Sequence, residues 1–317
     1  MSVFTSVSSE QLQIFLCQFN LGSLINFEGI SAGIENSNYF VNTTEGAFVL
    51  TLYEKHSADE INFSVQLGAF LAAKGLAVSY PLAAKDGRLQ RDFLGKATVL
   101  SQRIVGQSVF SPKVQHCQQL GTALAKVHHA SQTFPLSEPK LDAHLWRQQS
   151  LQKLHDKLDP ETLHTLQQLV RRYQDDVALD LPQGALHSDL FRDNVLFEGD
   201  QLSGIIDFNS AVHSPLLFDV AVVLNDWCSR PDGSLDLPLS RAFMSAYQGL
   251  RPFSESEHRV WPRMCELSAL RFWLSRLLNQ HFRQASELTC DKDPEEYRCL
   301  FLHRQRHPIA LRRLYDD

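Results

Sequence analysis

The stretch LHSDLFRDNVLF, residues 186–197, constrains the fold most, because it sets six polar side chains directly against a run of apolar residues. Residues 195–197 and 202–206 flank a turn-like Glu-Gly-Asp sequence, a pattern that predicts an antiparallel hairpin. A turn near residue 200 sets Asn194, at the start of one strand, almost opposite Asp207, at the end of the other. An amide oxygen and a carboxylate are therefore expected at the open end of this hairpin.

These two oxygen ligands, with the rest of the shell left to water and phosphate, suit Mg²⁺ rather than zinc. Asp189 lies five residues before Asn194, in the segment that leads into the hairpin. A carboxylate beside a metal-bound phosphate can accept the proton of an attacking hydroxyl. Because positioning and charge neutralisation supply most of the catalysis in phosphoryl transfer, the pattern predicts that reaction. Asp189 is the expected base, and Asn194 and Asp207 are the expected Mg²⁺ ligands.

Several stretches carry a family resemblance. HSDLFRDN resembles the His-x-Asp-x-x-x-x-Asn loop of the protein-kinase-like fold, and IIDFNSA resembles its later metal-binding Asp segment. The His-Ser-Asp form is similar to that of the aminoglycoside phosphotransferase and choline kinase branch. The remaining similar stretches resemble the bacterial homoserine kinases of that branch: GIENSNYFV, FVLTLYE, FDVAVVLNDWC and LRFWLSRL. The resemblance covers most of the chain.

The resemblance implies an α+β, protein-kinase-like bilobal fold, with a small β-rich N-terminal lobe and a larger, mainly helical C-terminal lobe. It implies the same roles for Asp189, Asn194 and Asp207. It also implies structural roles for two further residues. His187 would pack the loop, and Asp219 would be a buried carboxylate that holds loop amides.

The hydrophobic patterns along the chain agree with two lobes. Residues 39–42 and 47–53 predict one hairpin, and Asp86-Gly87 predicts the turn of another. Apolar residues at helical spacing predict these helical regions: 58–74, 114–130, 142–177, 218–229, 237–249 and the chain from 256 onward. Strand-like sequence interrupts the later helices only between 184 and 212. The predicted division is a nucleotide-binding lobe, 1–105, and a catalytic and acceptor-binding lobe, 106–317.

The residues expected to hold ATP lie in the first lobe. In GISAGIENSN, residues 29–38, small residues let the backbone approach phosphate, so Ser31, Gly33 and the Ser37 hydroxyl are candidate contacts. Adenine is expected to use backbone groups near Gln102 and Ile104, where VLSQRIVG would join the lobes.

The sequence departs from the kinase pattern on the third strand. A Lys or Arg normally stands there to reach the phosphates, whereas this chain has Thr51 and no basic residue before Lys55. Either Mg²⁺ and backbone groups hold the phosphates, or a basic group comes from elsewhere in the chain.

An amino-acid alcohol requires a cation for its carboxylate and an acid for its ammonium. Arg271 is the candidate to bind the carboxylate, and Asp226 is the candidate to bind the ammonium. Trp227 is a candidate for the wall of this acceptor site. Glu35 and Asn36 are placed to reach the acceptor from the first lobe. Tryptophan at helical spacing is more often part of a core, and an exposed Asp and Arg more often form a surface ion pair that contributes little.

The resemblance implies an ATP- and Mg²⁺-dependent kinase that phosphorylates the side-chain hydroxyl of L-homoserine, on the route to threonine. One alternative is another phosphotransferase of the amino-alcohol, choline or aminoglycoside type. Aromatic residues near 272 are compatible with a choline cage, whereas the second lobe has no dense acidic run for an aminoglycoside. The other alternative is an idle kinase fold that serves as a binding module.

Composition excludes other classes of function. A net charge of −6 disfavours general nucleic-acid binding. No apolar run approaches the ~20 residues of a membrane span, and the amino terminus has no basic segment of the kind found in signal peptides. Six scattered cysteines without metal-ligand spacing predict reduced thiols, no disulfides and a cytoplasmic setting. The oligomeric state stays open.

Overall fold

A computed structural model describes residues 4–30, 36–136, 143–173, 180–282 and 292–316 of the protein. These residues divide into two compact units. The first unit contains the described residues up to 105 together with 203–209, and the second unit contains the others. The predicted division at 105 differs from this one in the short segment 203–209, which joins the first unit. The predicted lobe boundaries themselves stay a prediction.

The first unit is built on an antiparallel sheet of five strands in the order β1-β2-β3-β5-β4. Its elements are α1 (Ser9–Leu16), β1 (Leu24–Gly29), β2 (Ser37–Thr43), β3 (Gly46–Leu52), α2 (Ala58–Ala73), β4 (Arg91–Phe93) and β5 (Lys96–Gln102). The predicted hairpin is confirmed, because β2 and β3 pair along their whole length, with Asn38 opposite Thr51. The predicted helix over 58–74 is also confirmed.

The predicted turn at Asp86-Gly87 is wrong as a hairpin between two sheet strands. Gly87 does close a tight turn, in which its N–H donates to Ala84 O at 2.8 Å. The strands β4 and β5 nevertheless pair across Leu94-Gly95, with Phe93 opposite Lys96. Both glycines have positive φ, and an Asp-Gly pair predicts either kind of turn equally well.

One face of this sheet and helix α1 enclose a hydrophobic core. Alternate strand residues are fully buried there, because successive side chains of a strand point to opposite faces. The central members are Leu12, Phe15, Val41, Leu50 and Leu100. A smaller cluster joins α2 to the sheet: Tyr53, Ile61, Val65 and Val99. Helix α2 begins with a capping box, in which Glu60 accepts the Ser57 N–H at 2.7 Å.

The second unit is mainly helical. Its helices are α3 (Val114–Ser131), α4 (Ala143–Leu154), α5 (Pro160–Arg172), α6 (Leu217–Trp227), α7 (Leu237–Gln248), α8 (Glu255–Phe282) and α9 (Pro294–Arg306). Its strands are β6 (Gln107–Ser108), β7 (Gln183–Leu186), β8 (Val195–Glu198) and β10 (Val212–Pro215), while β9 (Gln201–Ile205) begins here and continues into the first unit. The predicted mixed α+β class is confirmed.

Helix α6 is the most deeply buried element of the second unit. Its residues from Val220 to Leu224 are all 0 % exposed. An apolar cluster draws on α4, α5, α6, α8 and α9, and its largest buried members include Tyr173, Trp273 and Phe301. Because α6 cannot shift without disturbing this cluster, polar side chains on its surface have well-fixed positions.

Two further expectations concern the whole chain. The described cysteines carry free thiols: Cys17, Cys117, Cys228, Cys265 and Cys299. No helix in the described ranges combines the length and the apolar character that are required to cross a membrane.

Candidate active site

Residues 187–194, here called the polar loop, connect β7 to β8. Asp219 of α6 is fully buried and binds the start of this loop. Its Oδ2 accepts the His187 N–H at 2.9 Å and its Oδ1 accepts the Ser188 N–H at 2.7 Å. Ser188 has φ +61°, in the left-handed region that L residues seldom adopt. Its hydroxyl also donates to Ser210 O. Asp219 therefore holds the strained bend that opens the polar loop.

His128 of α3 also binds the Asp219 carboxylate. Its Nε2 lies 3.2 Å from Asp219 Oδ2, and its Nδ1 lies 2.7 Å from the Tyr247 hydroxyl of α7. A carboxylate can only accept, so Nε2 carries the proton and Nδ1 of the neutral ring accepts the Tyr247 O–H. Burial lowers the pKa of His128, and the opposing influence of Asp219 does not restore it. The charges of Arg251 and Glu257 act on the same ring in opposite directions.

This burial predicts an acid-sensitive fold. The pKa of this histidine is lower in the folded chain than its value of about 6.5 in the unfolded chain. As pH falls, the unfolded chain therefore binds the proton before the folded chain does. The unfolding free energy should then fall as pH decreases below about 6.5, by up to ~1.4 kcal/mol per pH unit. Urea unfolding between pH 8 and pH 5 measures this slope. His128→Gln should flatten it, whereas His155→Gln, which removes an exposed histidine, should follow the wild type. An unchanged slope in His128→Gln would assign the acid sensitivity to other groups.

Asp189 and Asn194 meet at the centre of the polar loop. Asn194 is 8 % exposed and directs its Nδ2 to Asp189, donating to the backbone O at 2.8 Å and to Oδ2 at 3.2 Å. Both hydrogen bonds use Nδ2, so the Oδ1 atom of Asn194 points away from Asp189. His187 lies beneath, 1 % exposed, and its Nδ1 accepts the Asp189 N–H at 3.3 Å. The loop thus brings together the expected base and one expected metal ligand.

Asp207 belongs to the first unit. It follows β9 with φ +63°, a conformation that Asp tolerates better than most residues. Its Oδ1 accepts the Asn209 N–H at 3.3 Å, and Asn209 Oδ1 accepts the buried Tyr53 hydroxyl at 2.6 Å. The Asp207 side chain is exposed. Tyr53 and Asn209 therefore hold the turn on which this carboxylate stands.

The chemistry of the donors fits a hard cation. An amide oxygen and an exposed carboxylate are ligands that Mg²⁺ accepts together with waters and phosphate. Within the described parts of the chain, no three His, Cys, Asp or Glu side chains group as a metal site.

The structure places the side chains of Asp226 and Trp227 against the polar loop. The Asp226 carboxylate is 9 % exposed and bound by Arg192, whose N–H donates to its Oδ2 at 2.8 Å. Trp227 is 1 % exposed, and its Nε1 donates to Leu190 O at 3.2 Å. Both side chains thus contact the polar loop and not an open surface. Their predicted contacts with an acceptor stay a prediction that this burial disfavours.

Arg271 contacts aromatic rings. Its Cζ lies 3.8 Å from the centroid of Trp146 and 5.8 Å from that of Phe272. Such stacking attracts the guanidinium to the ring faces through a cation–π interaction. Its proposed contact with an acceptor carboxylate stays a prediction.

The described nucleotide candidates are engaged within the first unit. The Ser37 hydroxyl is fully buried, donates to Glu54 Oε1 at 2.5 Å and accepts the N–H groups of Phe4 and Thr5. Glu54 in turn pairs with Lys96 Nζ at 2.8 Å. This network occupies the Ser37 hydroxyl, which disfavours its predicted contact with phosphate.

Thr51 and Asn36 also have protein partners. Thr51 Oγ1 donates to Asn38 Oδ1 at 2.7 Å across the β2–β3 pair. Asn36 is 6 % exposed, and its Oδ1 accepts the Glu54 N–H at 3.4 Å. Both side chains are therefore hydrogen-bonded to other residues of the first unit.

The two predicted adenine contacts lie at the end of β5. Gln102 donates its N–H to Tyr80 O and its Nε2 to Ala47 O, each at 3.3 Å. Ile104 packs so closely on Gly204 that a Cβ there would lie 2.5 Å from Ile104 Cδ1. Ser31, Gly33 and Glu35 lie outside the described residues.

Sequence reasoning missed His128, Tyr247 and the pairing of Arg192 with Asp226. The one available signal for His128 was its position in the apolar stripe of α3, beside Leu124 and Val127. A polar residue at a core position of a helix indicates a buried partner elsewhere in the chain. Nothing in the sequence named Asp219 as that partner.

Comparisons with known proteins show the family to which the chain belongs. Residues 26–253, more than two thirds of the chain, match the phosphotransferase enzyme family. The chain therefore belongs to the phosphotransferase enzyme family. Its curated relatives include homoserine kinases. It is 41 % identical to that of Methylobacillus flagellatus, over 98 % of this chain and 97 % of the relative. It is 39 % identical to that of Neisseria meningitidis, over 95 % of this chain and 99 % of the relative.

Solved structures share the fold at lower identity. An amicoumacin kinase, solved in complex with AMP-PNP and Ca²⁺, has a TM-score of 0.72 at 15 % identity, covering 97 % of each chain. A microcompartment-associated aminopropanol kinase has a TM-score of 0.62 at 17 % identity, covering 94 % of this chain and 97 % of its own. The resemblance inferred from the sequence motifs, and the protein-kinase-like fold that it implied, are confirmed.

Proposed function

We propose that this chain is a homoserine kinase, which transfers the γ-phosphoryl group of ATP to the side-chain hydroxyl of L-homoserine. The product is O-phospho-L-homoserine, on the route to threonine. The observation that carries the proposal is 41 % identity to a curated homoserine kinase over 98 % of the chain. Because the likeness extends over both units, it includes helices that a shared kinase loop alone would not explain.

In the proposed reaction, Asp189 accepts the proton of the acceptor hydroxyl. The hydroxyl oxygen bonds to the γ-phosphorus, the bond from that phosphorus to the β–γ bridging oxygen breaks, and ADP leaves with the electron pair. Support comes from Asn194 Nδ2, which fixes the Asp189 carboxylate at 3.2 Å. The attack is direct, so the chain supplies position and a base and no nucleophile of its own.

We propose that Asn194 and Asp207 hold Mg²⁺ in this reaction. When bound, the ion neutralises charge on the β- and γ-phosphates of ATP. The orientation of Asn194, with Nδ2 turned to Asp189, leaves its Oδ1 as the ligand atom. The assignment of Asp207 rests on its motif and on its exposed carboxylate. We place the reaction in the cytoplasm, where free thiols stay reduced.

Coupled ADP release tests this proposal. The assay supplies MgATP and, one at a time, L-homoserine, L-serine, choline, ethanolamine and kanamycin. Selective turnover of L-homoserine is expected, with one phosphate transferred per ADP and the product identified by ³¹P NMR. Selective turnover of another alcohol would keep the kinase chemistry and overturn the acceptor. If the folded protein binds MgATP but turns over none of these alcohols, the proposed function would be overturned.

A further inference from the structure

Helix α6 contacts the polar loop at three points along the chain. At the start of the loop, Asp219 accepts the His187 and Ser188 amides. In the middle, Trp227 Nε1 donates to Leu190 O at 3.2 Å. At the end, Asp226 Oδ2 accepts the Arg192 N–H at 2.8 Å. One helix thus binds the backbone before, within and after the segment that carries Asp189.

The spacing of these residues explains how one helix reaches both ends of the loop. Asp219 and Asp226 are seven residues apart, which is nearly two full turns and an offset of only roughly 20° around the axis. Both carboxylates therefore lie on the same face of α6, separated by a rise of roughly 10 Å. A rigid helix with two acids at this spacing fixes the distance between the two ends of the loop.

Among the described residues, the hydrogen bonds to the Asp226 carboxylate come from one loop residue, Arg192. Arg192 adds two side-chain hydrogen bonds to the backbone one, from Nε to Oδ2 at 3.2 Å and from Nη2 to Oδ1 at 3.3 Å. Its Nη1 also donates to Phe110 O at 2.9 Å. A buried carboxylate is tolerated only when it is paired and hydrogen-bonded. Burial raises the pKa of Asp226, and the charge of Arg192 opposes this.

The C-terminal end of α6 is itself anchored from the other side. Asn225 Nδ2 donates to Cys265 O at 2.9 Å and to Ser268 Oγ at 2.7 Å, both on α8. Arg304 of α9 donates from Nε to Asn225 Oδ1 at 2.9 Å and from Nη2 to Ser229 Oγ at 2.6 Å. Because Asn225 immediately precedes Asp226, these bonds fix the helical turn that carries the carboxylate.

We infer that Asp226, assisted by Trp227, is a positioning residue that fixes the end of the polar loop and thereby the geometry of Asp189 and Asn194. This inference rests on the proposed function for its catalytic consequence. It replaces the expectation that Asp226 binds the ammonium of the acceptor. Asn194 follows Arg192 by two residues within a short 3-10 helix, so a shift of the Arg192 backbone moves the Asn194 amide as well.

The two roles of Asp226 separate in steady-state kinetics. If Asp226 positions the loop, Asp226→Ala should lower kcat about 10–100-fold and leave the KM for L-homoserine nearly unchanged. Asp226→Asn should retain more activity than Asp226→Ala, because the Asn Oδ1 can still accept the Arg192 N–H. If Asp226 instead binds the acceptor ammonium, both variants should raise that KM strongly and to a similar extent, and this result would overturn the inference.

A matched control tests whether the loss of any buried acid is sufficient to lower kcat. Glu266 of α8 is 8 % exposed and accepts the Tyr173 hydroxyl, in a contact that does not involve the polar loop. Glu266→Gln should lower stability without changing kcat. If Asp226→Ala fails to fold, Trp227→Phe removes the donor to Leu190 O and keeps an aromatic ring, and it should lower kcat with KM unchanged. Equal kcat in wild type and Trp227→Phe would then count against the inference.

Hydrogen–deuterium exchange provides a readout that is independent of the acceptor. Peptides that cover residues 187–197 should exchange faster in Asp226→Ala, which removes the acceptor of the Arg192 N–H, than in wild type, while peptides of α3 and α7 should be unchanged. Unchanged exchange of the loop would overturn the inference, whatever the acceptor is. If wild type does not phosphorylate L-homoserine, the proposed function fails, and faster loop exchange in the variant still supports the positioning role.

Discussion

Replacing Asp189 by Asn is expected to lower kcat for phosphoryl transfer by about 10²–10⁴-fold, the usual contribution of a general base. The change removes the only group of the polar loop that we assign to take the acceptor proton, while the side-chain shape is kept. An Asn at this position still presents an oxygen to Asn194 Nδ2, whose second hydrogen bond goes to the Asp189 backbone. Coupled ADP release measures kcat, and thermal unfolding should show a nearly unchanged midpoint.

The neighbouring acid provides a matched control for this substitution. Asp193 lies in the same loop and its Oδ2 accepts Lys292 Nζ at 2.7 Å, in an ion pair whose side chains are 41 % and 47 % exposed. Exposed pairs of this kind contribute little to stability. Asp193→Asn should therefore keep kcat within a few-fold of wild type. Retention of most activity by Asp189→Asn would remove Asp189 from the mechanism, and equal losses in both variants would indicate a general effect of loop charge.

The sequence predicted the local features of the fold because each has a short-range cause. The β2–β3 hairpin follows from alternating residues around Thr44-Glu45, and α2 follows from apolar spacing behind the Ser57 cap. The turn at Asp86-Gly87 was assigned wrongly because turn residues specify a bend and not the partners of the flanking strands.

The partners of individual side chains were less predictable. The sequence motif indicated that Asp226 lies near the site. It did not indicate the partner of Asp226, because Arg192 is 34 residues away in the chain and the packing of α6 brings the two together. Likewise, the Ser37 hydroxyl could donate to a phosphate by its chemistry, but in the structure it donates to Glu54. Both contacts have the same physical origin. A residue type states what a side chain can bind, whereas tertiary packing decides which of several possible partners reaches it.

Replacing Asp219 by Ala is expected to have the largest effect on stability, because one buried carboxylate serves three donors. The His187 and Ser188 amides and His128 Nε2 would all lose their acceptor at once. A donor that is left without its acceptor costs about 1–3 kcal/mol, so the loss of the acceptor for all three should cost several kcal/mol. That is a large share of a total stability of about 5–15 kcal/mol. Urea unfolding at pH 7.5 measures the loss.

Asp159 offers a comparison that separates burial from the number of hydrogen bonds. It also accepts two backbone amides, from Glu161 at 3.1 Å and Thr162 at 2.9 Å, but at the exposed start of α5. Asp159→Ala should cost much less stability and leave kcat unchanged, because water replaces the lost acceptor. Asp219→Ala should also lower kcat, since the left-handed bend at Ser188 loses the acceptor that holds it. If the two variants lose similar stability, the buried amides must find other acceptors, and the anchoring role of Asp219 would be wrong.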